Sequence, residues 1–469
     1  MRPWGFAAAI AWAMTPAFPA AGVGQAVDVA RFAAGVDSLA QAPIEAHRVA
    51  GMAIGVVEGE DTLLLRAYGT ADLEFTVPMP DDAVFEIGSL TKQFTAAAVL
   101  QLAEAGKLDL DADLTEYLPD YNTHGQRIPL RRLLDHTSGI RGYTEMPVFG
   151  TLATRRLRRD SLVTLFAAAP LDFAPGEAMI YNNSAYFLLG LIVEQVSGTT
   201  YARYVEDHLF APAGMSRSRY CSNRAVVPRR AHGYDMSPGG LVRARYIDFT
   251  WPYAAGSLCS TVRDLLRWNQ ALHGNGDGGT MLSTTGYRAL VTPGRLNDGT
   301  PLRYAMGLAS LSHDGRRLIR HGGGIPGFRS ALWYYPESDL SIVVLMNTAG
   351  PVDPGSVADR VARLRFGDPP ARPARAFPGD LADLTGEYRG RGRGRMLRLE
   401  VRQDSSGLHV ARRGRPAPAV RFIDGTTFAL GDTRYTFVLG DRKAVALRVD
   451  QVSGLYVLAR VMPTDSTRR

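Results

Sequence analysis

Hydrophobic and polar positions change their period along the chain in a way that divides it into blocks. Residues 52–57 and 62–68 are apolar-rich runs separated by Glu58-Gly59-Glu60-Asp61, and they predict a β-hairpin. Residues 330–335 and 340–347 predict a second hairpin around Pro336-Glu337-Ser338-Asp339, a turn-forming tetrad. Between them the pattern is mostly helical, over 89–105, 184–197 and 261–273, and each run stops at a glycine: Gly106, Gly198 and Gly274. Strands at both ends with helices between predict an α/β chain of the α+β type. Its antiparallel sheet is closed by the two ends, with an all-helical insert beside it.

A last helical stretch at 355–364 gives way to DPPARPARAFP at 368–378. Four prolines in eleven residues continue neither helix nor central strand, so 367–378 is a linker. Beyond it Leu397, Leu399 and Val401 alternate with Arg398, Glu400 and Arg402, the pattern of a half-buried strand. Short strands are also predicted at 421–423, 427–430, 435–439, 445–449 and 455–461. Residues 27–366 are thus one domain and 379–465 a β-barrel-like second one.

The N-terminus has another character. Arg2 precedes the apolar run 4–14 (WGFAAAIAWAM), and small residues lead to Gly24-Gln25-Ala26. Residues 1–26 read as a signal peptide, which predicts a periplasmic or secreted protein. Past that segment the longest apolar stretch, 185–193, is half of what a bilayer span needs, so no membrane span is expected. Cys221 and Cys259 are the two cysteines. In an oxidising compartment they form a disulfide or stand as two separate buried thiols.

Composition adds exclusions. Of 469 residues, 46% are hydrophobic and 21% charged, which fits a chain that buries a core and excludes general disorder. The formal charge of +7 is uneven: residues 371–469 hold 19 Lys and Arg against 10 Asp and Glu, while the rest is close to neutral. The basic excess predicts a weak contact of the C-terminal domain with anionic envelope polymers. Arg389-Gly390-Arg391-Gly392-Arg393-Gly394-Arg395 reads as a solvated hairpin or loop, and no nucleic-acid partner is expected. The oligomeric state is left open.

Lysine occurs three times, at 92, 107 and 443, against 50 arginines. Arginine stays charged, whereas lysine can lose its proton when desolvated and act as a base. Lys92 stands in Ser89-Leu90-Thr91-Lys92, at the start of an apolar helix. A serine there has amide donors and the positive end of the helix dipole beside its Oγ. Lys92, one turn on, can accept the serine proton once burial has driven it toward the neutral form. Tyr181 can relay a proton, and Asn183 can hold both Lys92 and a substrate carbonyl through its two-sided amide. Arg320-His321-Gly322-Gly323-Gly324 offers side-chain-free backbone on which a substrate can lie, with an amide for an oxyanion.

Ser89-x-x-Lys92, Tyr181-x-Asn183 and His321-x-Gly323, in that order, resemble the motifs of the class C β-lactamase superfamily, which also holds D,D-peptidases, D-aminopeptidases and related esterases. Residues 133–139 (LLDHTSG), 256–265 and 322–328 agree, and the likeness covers roughly 30 to 365. The C-terminal unit resembles, more loosely, the lipocalin-like domains appended to some of these hydrolases. The resemblance implies that Ser89 is acylated, that Lys92 and Tyr181 share the proton work, and that Asn183, His321 and Gly323 bind substrate. It also implies an oxyanion hole made by the amides of Ser89 and Gly324. The β-lactamases proper usually carry Lys-Thr-Gly at the third motif; His-Gly-Gly removes a fixed cation and resembles the D,D-peptidase and D-aminopeptidase branches. The expected activity is an acyl-enzyme hydrolase acting on a D-amino-acid peptide or small ester. A true β-lactamase and an idle scaffold on the same fold are the alternatives. No cofactor and no metal are expected: His136 has no H-E-x-x-H or Cys/His cluster and reads as a buried, hydrogen-bonded histidine.

Overall fold

The computed structural model describes residues 28–370, 375–392, 395–412, 414–441 and 443–461. The expected signal segment lies outside the described residues, as do 371–374 of the expected linker and 462–465 of the expected second domain.

Both predicted hairpins form. Gly51–Glu58 pairs with Asp61–Asp72, and Phe328–Tyr335 with Leu340–Met346. They join edge to edge, with Met52 opposite Met346 and Glu58 opposite Leu340, within a seven-stranded sheet. Arg316–Ile325 and then Ala309–His313 extend this sheet on one side.

Each face of the sheet is apolar and each is covered. Helices Val29–Glu45 and Pro354–Phe366 close one core, which includes Val36, Ile54, Trp333, Ile342 and Val361. On the other face, Val262–His273, Thr91–Glu104 and Asn183–Ser197 contribute to a larger core with Phe94, Leu188 and Trp268. Local chemistry sets where these helices begin. Thr261 and Asn182 accept from the amides of Asp264 and Ala185, the bonds that orphan N–H groups of a first turn require.

The insert also carries short strands. Leu258–Ser260 lies between Phe85–Glu86 and Arg219–Tyr220, and a disulfide joins Cys221 to Cys259 with their Cα atoms 5.2 Å apart. The strand Phe85–Glu86 runs directly into Ser89, so the disulfide braces the base of the site.

In the C-terminal unit Tyr388, Phe428, Phe437 and Leu447 fill the inside of a nearly closed antiparallel barrel. Its ends approach where Val420 donates to the Leu408 carbonyl at 2.7 Å. The expected strands are present, together with two that the apolar pattern does not disclose, Gly386–Gly392 and Gly407–Arg412. The first reads GEYRGRG: Tyr388 is its buried apolar anchor, and its second half, 389–392, alternates Arg and Gly and is held by the full backbone ladder that Arg395–Asp404 supplies.

Candidate active site

Ser89 lies in a short 3₁₀ turn, Gly88–Leu90, that leads into the helix Thr91–Glu104. Gly88 has φ +52, and a Cβ there would stand 2.8 Å from the Gly324 amide nitrogen. A Cβ on Gly323 would collide with the Ile87 carbonyl oxygen. Glycine at 88 and 323 is what allows the serine turn and the strand Arg316–Ile325 to run against each other. Ser89 and Gly324 consequently line the same cavity, of about 650 Å³, together with Asn183 and Thr144.

Lys92 is fully buried. Its Nζ contacts three oxygens: Asn183 Oδ1 at 2.7 Å, the Ala255 carbonyl at 2.8 Å and Ser89 Oγ at 3.2 Å. Burial holds its pKa well below the ordinary lysine value. A neutral amine has two N–H donors and one lone pair. The two carbonyl-type oxygens can only accept, so they take both donors, and the lone pair is left for the Ser89 hydroxyl. The arrangement can therefore draw a proton off the serine.

Two consecutive asparagines divide two tasks. Asn182 caps the helix, while Asn183, its first residue, faces Lys92. Asn183 Nδ2 donates to Thr144 Oγ1 at 3.2 Å, which fixes the amide with its oxygen toward the lysine. The Tyr181 ring lies over Lys92, with Nζ 4.7 Å from its centroid. His136 packs at a tilt of 50° against Tyr181 with 4.4 Å between centroids, and its Nδ1 accepts from the Asn182 amide at 3.2 Å. The buried, hydrogen-bonded histidine read from the sequence is what stands there.

His321 is buried behind this group. Its Nδ1 donates to the Gly322 carbonyl at 2.6 Å and its Nε2 accepts from the Tyr304 hydroxyl at 2.9 Å. Desolvation, and next the nearby Lys92, push its pKa down to about 3, so the ring is neutral at pH 7. His321 and Gly323 support the cavity from behind and are not among the residues that line it, whereas Asn183 and Gly324 are. Ser89, Lys92, Tyr181 and Asn183 thus come together from two distant segments of the chain, 89–92 and 181–183.

The sequence reading missed the Ala255 carbonyl, Thr144 and two cavity-lining arginines, Arg245 and Arg329. A backbone oxygen leaves no mark in a sequence. Arg329 could have been found, because it sits two residues past the Ile325-Pro326-Gly327 turn and so pairs across from Gly324.

The sequence profile of the family described as Beta-lactamase matches residues 36–366. The chain belongs to the beta-lactamase family. It is a serine hydrolase of that family, and its relatives include hydrolases of several names. It is 28% identical to penicillin-binding protein 4* of Bacillus subtilis (strain 168), over 70% of this chain and 76% of that one. It is also 28% identical to a D-aminopeptidase of Gluconobacter oxydans (strain 621H), over 75% of this chain; it spans 65% of that relative's length. The octameric penicillin-binding protein homologue from Pyrococcus abyssi shares the fold, with a TM-score of 0.62 at 23% identity over 92% of this chain and 99% of that one. Among the described residues of this beta-lactamase family member, no helix is long and apolar enough to cross a membrane.

Proposed function

We propose that the protein is an exported hydrolase that cleaves the amide of a D-amino-acid peptide, or a small ester, through an acyl-enzyme on Ser89. The observation that carries this reading is the Lys92 environment, two fixed acceptors and one serine hydroxyl around a buried amine. The D-aminopeptidase relative supports an amide next to a D-residue.

In the first half-reaction Ser89 Oγ attacks the substrate carbonyl carbon as its proton passes to Lys92. The amides of Ser89 and Gly324 hold the oxyanion, each donor contributing about 10²–10³ in rate. Lys92 and Tyr181 deliver the proton to the leaving nitrogen, the C–N bond breaks and the amine departs. Water then attacks the ester, gives a proton to the same pair, and Ser89 leaves as its hydroxyl is restored. The products are a carboxylic acid and an amine.

A neutral His321 supplies no cation at the third motif, so a substrate carboxylate would be met by the cavity-lining Arg245 and Arg329 instead. Export rests on the apolar segment 4–14, and the disulfide agrees with an oxidising compartment. The excess of arginine in the C-terminal domain supports a weak, salt-dependent contact with anionic envelope polymers.

The test is covalent labelling. A fluorophosphonate probe should add one adduct to the wild-type protein and none to Ser89→Ala, read by intact mass. Labelling that persists in the variant would refute the assignment. A panel of D-alanyl amides, p-nitrophenyl esters and penicillins in the same assay then ranks the substrate classes.

A further inference from the structure

We propose that the C-terminal barrel is a positioning element of the active site, and that it acts through Ser453 and Gly454 on the peptide that carries Tyr181. This rests on the hydrolase reading above.

The segment around Tyr181 is a short extended stretch, and successive amides of an extended chain point to opposite sides. On one side the Ile180 amide donates to the His136 carbonyl at 3.1 Å and the Asn182 amide to His136 Nδ1 at 3.2 Å. On the other side the Tyr181 amide donates to the Ser453 carbonyl at 3.1 Å. Met179–Ile180 also joins the barrel sheet as an added strand, with Gly454 opposite Ile180 and Leu455 opposite Met179. The backbone at Tyr181 is therefore held between His136 of the catalytic unit and the turn 451–454 of the barrel.

The seam around this clamp is built as an interior. Met179 and Leu455 are buried with Leu302 and Tyr304 in one apolar cluster. Arg303 donates from Nε to Asp450 Oδ1 at 3.0 Å, and from Nη2 to the carbonyls of Asp450 at 2.9 Å and Asp432 at 2.8 Å. Its neighbour Tyr304 is the residue that donates to His321, and its ring lies 6.1 Å from that of Tyr181. The barrel thus reaches Tyr181 along two routes, one through the Tyr181 peptide and one through Arg303 and the Tyr304 ring beside that of Tyr181. A phenol that shares a proton with Lys92 must be held in place to be useful, and a fixed peptide on both flanks does this.

The experiment uses the full chain. Leu455→Ser and, separately, Arg303→Ala loosen the seam; each is made in the wild-type and in the Tyr181→Phe background. The readouts are kcat and KM for D-alanine p-nitroanilide, the pH profile of kcat, and the rate of Ser89 labelling by a fluorophosphonate. The expected result is a loss of about 10- to 100-fold in kcat with KM changed less than about threefold, part of the roughly 10²–10⁴ that positioned proton transfer supplies. The pH profile should shift, and Leu455→Met, which conserves volume, should restore the rate. In the Tyr181→Phe background the same seam substitutions should cost nothing further, because the effect passes through the phenol. Seam variants that keep full kcat, or that lose as much without the phenol as with it, overturn the inference. If Leu455→Ser does not fold, Arg303→Ala carries the same comparison. A wild-type protein that no probe labels at Ser89 refutes the hydrolase reading instead.

Discussion

Lys92 Nζ donates to Asn183 Oδ1 at 2.7 Å, across a sequence separation of 91 residues, and Asn183 is itself anchored by Thr144. Asn183 thus holds the amine in the orientation that leaves its lone pair to Ser89. Asn183→Ala should slow Ser89 labelling about 10- to 100-fold while the protein stays folded. Thr144→Val, which frees the amide to turn, should give a smaller loss in the same direction. Labelling rates measured beside melting curves check both.

The state of Lys92 is testable through pH. Its depressed pKa means that the amine is the working base above that value and an idle ammonium below it. The labelling rate should therefore fall along an acid limb that belongs to Lys92. Lys92→Arg keeps a cation that cannot be discharged, and should lose about 10²–10⁴ in rate at every pH between 6 and 9, roughly the contribution of a positioned base. Stopped-flow labelling across that range decides it.

His321 offers a stability test. Its folded pKa is about 3, against 6.5 for an ordinary histidine. Above pH 6.5 the ring is neutral in both states and costs nothing. Between 6.5 and about 3 the unfolded chain binds a proton that the folded one refuses, so stability drains away as pH falls. Relative to His321→Gln, the wild type should lose up to about 1.4 kcal/mol per pH unit across this window. Urea unfolding of the pair at pH 7 and pH 4 gives the difference.

The disulfide closes a separation of 38 residues. In the chain-entropy account a loop of this size is worth about 4 kcal/mol. Cys221→Ser with Cys259→Ser should lower Tm by several degrees. Activity should fall as well, because the strand Leu258–Ser260 supports Phe85–Glu86 beneath Ser89. Scanning calorimetry, and assays with and without reductant, read the two effects.

Both hairpins, the main helices and the barrel were legible because their periods are strong and their stops are glycines or prolines. Ser89, Lys92, Tyr181 and Asn183 were legible through the order and resemblance of their motifs and through the scarcity of lysine, and the structure gathers them around the Lys92 amine. What the pattern could not disclose depends on backbone and on surroundings. The Ala255 carbonyl carries no side-chain signature, and Arg389 to Gly392, with no apolar side chain, continue the strand through pairing with their partner. His321 read as a docking group, yet its chemistry depends on Tyr304 and Gly322, which occupy both its ring nitrogens. The contact between Tyr181 and Ser453 spans 272 positions, and no local period reports it.

The pairing of Met52 with Met346 ties the birth of the sheet to the last part of the catalytic unit. During synthesis the first hairpin, complete at Asp72, must wait with one edge bare for about 270 further residues until Leu340–Met346 emerges. Non-local closure of this kind is slow, because the chain loses its freedom before the contacts repay it. Over that interval an unpaired strand edge invites neighbouring chains, and the nascent protein is at its most prone to aggregate.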